Sequence, residues 1–473
     1  IDGQISYQNT SRCSGRIFRS QLTSSVHLLI HSHITSEEQH LFLRSFALRK
    51  KWWRCSFELS GRLDPKHRCY LSSLLIQSYG QVRLFPHMFR DSSGHPCDTH
   101  ANQNGSAPRL REGVSSIELD NKGIYVVSAT KSGCLTVHDF ENLSKEVDDG
   151  KAEPVLHFSL GKQLDHVCWN PLNQDEIACV SSRSPEISIF DISYDSSRPI
   201  QRLNSRRRVL VDGTEVQKGL TSVMFFPYDK SRVLAPDTNG QVSVWDRRSS
   251  GLPCLTLSTN VRSALNTIVI NAENEQVLSS GRNGIVYVWD IRSGKASSLL
   301  SNKQPGILPL HFIKLQSALE RIDSLRAQVE IAAREIHAIN FSPLYPFQLA
   351  FHLDDGWSGV FDTIASKVTH LHCPMKNTDV DMCLRKPAWL QTHPCFVVGS
   401  VTEGGVHFLD FHPGRDSPCH VEYTEDTRRE KRSGFVGVAE GVTVCAAHPV
   451  TGTVVAGTKK SSLVIISQLR KSD

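Results

Sequence analysis

Histidine beside cysteine is the first pattern in this chain with chemical potential. His95, Cys97 and His100 fall within six residues, and imidazole with thiolate is a ligand set for zinc. Zinc sites pair two such spacings, and no second pair accompanies this one, so the three read as unliganded residues. His370, His372 and Cys373 lack a second pair in the same way. A cationic and aromatic tract, Arg49, Lys50, Lys51, Trp52, Trp53 and Arg54, has the residue types for contact with nucleic-acid phosphates and for stacking on bases. The same types would equally anchor a helix to a protein. Arg206, Arg207 and Arg208, and further along Arg428, Arg429, Lys431 and Arg432, are expected in loops, as solvated charge, an import signal or a contact with an acidic partner. There is no glycine-rich phosphate loop, no nucleophile elbow and no His-Glu-x-x-His. The expectation is a chain that is not an enzyme, with no catalytic residue, cofactor or metal.

The elements behind these residues are short strands. Residues 278–292 run from an apolar strand through Asn283-Gly284 into a β-branched and aromatic strand that ends at Trp289-Asp290. Asn-Gly is the dipeptide best suited to a two-residue hairpin. Asn239-Gly240 leads in the same way to Trp245-Asp246, and weaker copies end at Asp139, Asp191, Asp362 and Asp410. Near Ser461-Ser462 only the strand persists. Upstream of four of these turns an apolar strand stops at a proline: Pro171, Pro227, Pro343 and Pro449. Proline cannot extend a hydrogen-bond ladder and marks an exit into a turn. Seven units, with turns 44 to 72 residues apart, lie between residues 114 and 468. A sandwich has no reason to repeat its turn chemistry, whereas a propeller must.

These repeats resemble the WD-repeat family over about three-quarters of the chain. The resemblance implies an all-β fold: a seven-bladed WD-repeat β-propeller over residues 114–470, sealed by a strand from the N-terminal side, with residues 71–77 and 82–85 as candidates. The Gly-His that opens such repeats is absent, which implies an incomplete Asp-His-Ser-Trp network. Residues 277–292 resemble more closely the box of WD-repeat substrate receptors for cullin-4 ubiquitin ligases, departing from it at Arg282, Gly284 and Ile285. Carried over position by position, that resemblance assigns protein binding to Asp246 with Arg248 and Asp290 with Arg292. The implied partners are the ligase adaptor and a client protein. Trp-Asp-x-Arg also ends WD repeats of other functions, where the aspartate caps a turn. A general assembly scaffold, or a chromatin- or RNA-associated protein, is therefore the alternative.

Two segments break the repeat. Between the fourth and fifth units Phe312, Leu315, Leu319, Ile322, Leu325 and Val329 recur at helical steps, which predicts a helical insertion over about residues 307–335. Residues 1–90 are expected to be a basic, partly helical extension, with a capping box at Thr35 and Glu38, and residues 91–113 a linker. Residues 1–110 hold 14 Lys and Arg against seven Asp and Glu, out of a net +5 for the chain, so charge-driven contacts belong to that end. Thirteen cysteines, an odd and scattered number, suit reduced thiols in the nucleus or cytoplasm. No 18-residue apolar run occurs, so no membrane contact is expected. The sequence starts at Ile1, which leaves a targeting peptide neither in nor out.

Overall fold

The computed structural model describes residues 65–85, 113–144, 153–194, 196–205, 209–211, 214–216, 219–249, 251–271, 273, 275–292, 306–323, 325, 334–374, 384–413, 419–423 and 432–469. The capping box, the tract from Arg49 to Arg54, the His95–His100 group, Arg206–Arg208 and Val329 lie outside them. Contacts divide the chain after Leu71, and the second unit holds the strands described below.

At Asn239-Gly240 and Asn283-Gly284 the glycines take φ of 80° and 69°, the left-handed region where a side chain is strained. A Cβ on Gly240 would lie 2.2 Å from the Val261 carbonyl, and one on Gly284 2.8 Å from that of Arg334. These tight turns set antiparallel strands side by side, and the pattern repeats in seven sheets of a β-propeller. From the channel outward, blade one is Val114–Leu119, Tyr125–Thr130, Cys134–Asp139 and Leu156–Ser159. Blade two is His166–Asn170, Asn173–Val180, Glu186–Asp191 and Gln201–Asn204. Blade three is Met224–Phe226, Asp229–Pro236, Gln241–Asp246 and Leu255–Ser258, and blade four Leu265–Asn271, Gln276–Gly281, Ile285–Asp290 and His311–Lys314. Blade five comprises Ile336–Phe341, Gln348–Leu353, Ser358–Asp362 and Lys367–Cys373, with a fifth, parallel strand His420–Tyr423 lent by blade six. Blade six itself is Ala388–Trp389, Cys395–Ser400, Gly405–Asp410 and Ser433–Gly437.

Blade seven closes the ring with both ends of the unit. Its inner three strands are Val442–Ala447, Val454–Thr458 and Leu463–Gln468, and its outer strand is Tyr79–Phe85, antiparallel to the third. Val82 faces Ile466 and Phe85 faces Leu463. The Tyr79 hydroxyl donates to the Gly452 carbonyl at 2.7 Å, and its ring stacks on Phe408 of blade six at 4.4 Å. Of the two candidate sealing stretches, residues 82–85 are therefore the strand, whereas residues 71–77 lie in the helix Pro65–Ser78.

The core sits between blades. Trp245 is fully buried among Cys168, Val180 and Ile187 of blade two, and Trp289 among Phe226, Leu234 and Val244 of blade three. Neither indole N–H has a hydrogen-bond partner among the described residues, as the incomplete polar network implies. The insertion after blade four holds a short helix among its described residues, which leave out 324 and 326–333. Phe312 belongs to the blade's outer strand, exposed on its edge, and the helix among the described residues of the insertion is Leu315–Leu319. Leu315, Leu319, Ile322 and Leu325 are nonetheless buried together, against Val286 and Val288 of blade four and Phe351 and Leu353 of blade five. The helical steps thus record a wedge between two blades. No helix among the described residues is long and apolar enough to cross a membrane.

Candidate protein-interaction face

Antiparallel strands assign loops to faces. The turn from first to second strand and the link after the third lie on one face of the disc. The hairpin between second and third strands lies on the other. Each Trp-Asp-x-Arg ending follows a third strand, so both lie on the first face, in neighbouring blades.

At these ends the aspartate does the same job in blade after blade. Its carboxylate accepts the backbone N–H two residues on: Glu141 from Asp139 at 2.8 Å, Ser193 from Asp191 at 2.9 Å, Ile364 from Asp362 at 2.9 Å and His412 from Asp410 at 3.0 Å. This Asx-type turn stops the strand and redirects the chain. Asp246 and Asp290 do it as well, capping the N–H of Arg248 at 3.0 Å and of Arg292 at 2.9 Å. In these two blades the capped residue is an arginine, and its guanidinium folds back on the same carboxylate. Arg248 donates from Nε at 3.0 Å and Nη2 at 2.9 Å, and Arg292 from Nε at 3.1 Å and Nη2 at 2.8 Å. Hydrogen bonds from the Arg248 side chain pull Asp246 down to about 2, and those from Arg292 lower Asp290 likewise. Both arginines are exposed, and their positions are fixed at one end only.

Arg247, one residue earlier, has a different task. Its guanidinium reaches into blade two and holds Glu176 at 2.7 and 3.0 Å and the Gln201 Oε1 at 2.8 Å. Nothing local in Trp-Asp-Arg-Arg separates the two arginines. The partner, Glu176, comes from another repeat.

Other groups singled out by sequence are brought together structurally. His370 is buried in blade five's outer strand, where Arg432 Nη1 lies 3.2 Å from its Nε2. Arg432, expected as a loop cation, also sends its backbone N–H to Glu422 of the added strand at 2.9 Å. It is thus a rivet between blades five and six. The His372 ring lies tilted against His407 at 5.5 Å, and that of His337, which sequence did not single out, against His352 at 6.1 Å. No group of three or more His, Cys, Asp or Glu among the described residues is placed to hold a metal ion.

The central channel opens into a cavity of about 520 Å³ lined by the first strands, with Glu118, His166, His337 and Lys386 in its wall. The Lys386 ammonium donates to the Asp165 carbonyl, from blade six's approach to blade two's. The Glu118 carboxylate accepts the Trp169 N–H at 2.7 Å. Burial lowers Lys386 to about 7 and raises Glu118 to about 8. Sequence reasoning missed this pair because only ring closure makes the two residues neighbours. Compared with protein-family models and with curated proteins, the sequence matches none.

Proposed function

We propose that this propeller is a non-catalytic scaffold of the WD-repeat class, and that it serves as a substrate receptor linking a client protein to a cullin-4 ubiquitin ligase. The observation behind the proposal is the repetition of one arrangement, an exposed guanidinium clamped by its own aspartate, on neighbouring blades of one face. An arginine held on one edge keeps N–H groups directed outward and has less rotamer freedom left to lose on docking. Bonds from such a group to carboxylate or carbonyl acceptors are charge-assisted and directional. Two of them at a fixed spacing select a partner better than either alone. In this reading the disc engages the ligase adaptor on one face and a client elsewhere, and its contribution is raised local concentration. A nuclear or cytoplasmic location belongs to the same proposal.

The test is co-purification of the cullin-4 adaptor with the full chain and with Arg248→Ala/Arg292→Ala. The expected result is retention by the wild type and loss in the double variant, with the melting temperature unchanged. A wild type that does not retain the adaptor ends the receptor reading and leaves a general assembly scaffold.

A further inference from the structure

The two faces of the disc differ in kind. On the face that carries Arg248 and Arg292, the first turn exposes a large apolar side chain in five of the seven blades: Ile124, Leu172, Tyr228, Leu344 and Val450, 42 to 71% accessible. Four of these directly follow the proline that ends the first strand. That placement surrounds the mouth of the central cavity, whose wall includes Asn121, Pro343 and Pro449 from the same turns. On the opposite face, Val261 is the one exposed large hydrophobic among the described residues. Single apolar residues on a surface need no explanation. A set gathered on one face and repeated by blade is the kind of surface that proteins use for contact.

Charge on the same face is layered. In blades three and four Arg232, Arg248 and Arg292 are 44, 65 and 57% exposed, while Asp229, Asp246 and Asp290 beneath them are 27, 23 and 22% exposed. An approaching surface meets the guanidinium layer first. The layer is continuous with the apolar set, because Arg248 Nη2 lies 3.9 Å from the carboxylate of Asp229, the residue after Tyr228.

We infer that the first-turn residues and the two clamped arginines form one docking surface, occupied by a protein whose contact area is apolar over the channel mouth and bears carboxylates over blades three and four. This rests on the receptor reading for the identity of the partner. It adds that the arginines orient the contact while residues such as Leu172, Tyr228 and Val450 carry its apolar centre. An interface of that layout, apolar core and charged rim, places its affinity in the core.

The experiment measures binding of the purified full chain to the purified cullin-4 adaptor by titration calorimetry. Three variants are compared: Leu172→Asp/Tyr228→Asp/Val450→Asp, Arg248→Ala/Arg292→Ala, and Val261→Asp on the opposite face. A Ser version of the triple variant serves if the Asp version does not fold. The expected result is Kd raised at least tenfold by the triple and the arginine variants and unchanged by Val261→Asp. Triple variants that bind like the wild type overturn the inference and leave the arginine contact standing. An arginine variant that still binds, beside a triple that does not, overturns the single surface, because the arginines then take no part in the contact. A wild type that gives no heat, or that pairs with a second copy through this face instead, overturns both.

Discussion

Arg247 and Arg248 are adjacent in the chain and opposite in circumstance. Arg247 and Glu176 have side chains only 14 and 13% exposed. Burial alone would push the Glu176 carboxyl up, but hydrogen bonds from Arg247 and Asn170 outweigh it and hold the group below its usual range. Removing one partner of such a pair strands the other, which typically costs about 3–5 kcal/mol. Arg247→Ala should lose stability on that scale in urea denaturation, while Arg248→Ala should denature at the same urea concentration as the wild type. Equal effects from the two would refute this division. The hairpin glycines and the Trp-Asp endings were legible because their chemistry is local: Asn-Gly turns and buried tryptophans need no knowledge of other repeats. Trp289→Ala should accordingly cost on the order of 3–5 kcal/mol, and an unchanged melting temperature would mean that its burial between blades three and four is wrong. Glu176 was not legible as a partner, since it comes from another repeat.

At the level of elements, the wedge after blade four shows how helical periodicity can mark a buried set of residues that is helical in only part of its described length. Leu315, Leu319, Ile322 and Leu325 are all buried, yet only Leu315–Leu319 is helical, and its N-cap Lys314 makes no side-chain capping bond. Phe312 falls three residues earlier by coincidence, because a strand residue on one face can also fit a helical step. The junction of blades five and six is a second element-level feature, built from histidines of which only His370 and His372 were considered from sequence, and then only for metal ligation. Burial, with Arg385 beside it, lowers His337 to about 4, and burial, with Arg432 beside it, lowers His370 to about 3. His352, which faces Arg385, His337, His372 and His407, is lowered as well. These groups are neutral when folded but take a proton near pH 6.5 when unfolded. Their contribution is complete above pH 6.5 and is lost as the pH falls toward 4. Asp410, raised by burial to about 6, opposes this between pH 6 and its unfolded value near 4. The expected net result is a fall in unfolding free energy from pH 6.5 to pH 4, shallower in His337→Gln. A flat profile in the wild type would contradict the neutral, buried assignment.

On the scale of the whole molecule, ring closure is the feature most of the other contacts depend on. It brings Glu118 and Lys386 to one channel and turns seven separate blades into a disc with two chemically different faces. A chain beginning at residue 86 lacks Tyr79–Phe85, leaving Leu463–Gln468 as an open apolar edge, the kind of edge that pairs with other chains. Such a chain should melt at lower temperature and run as oligomers on size exclusion; a monomer with wild-type melting would show that the closing strand is dispensable. The same closure also sets a timetable. Val82 and its partner Ile466 are far apart in the chain and leave the ribosome at well-separated times. At the usual elongation rate of about 5–20 residues per second, the earlier strand waits roughly 20–80 s for the later one. Throughout that interval blades one to six can assemble around a gap, with the strand of Tyr79, Val82 and Leu84 unpaired. Closing the ring therefore waits on the emergence of Leu463–Gln468, not on the search of any single blade for its native shape.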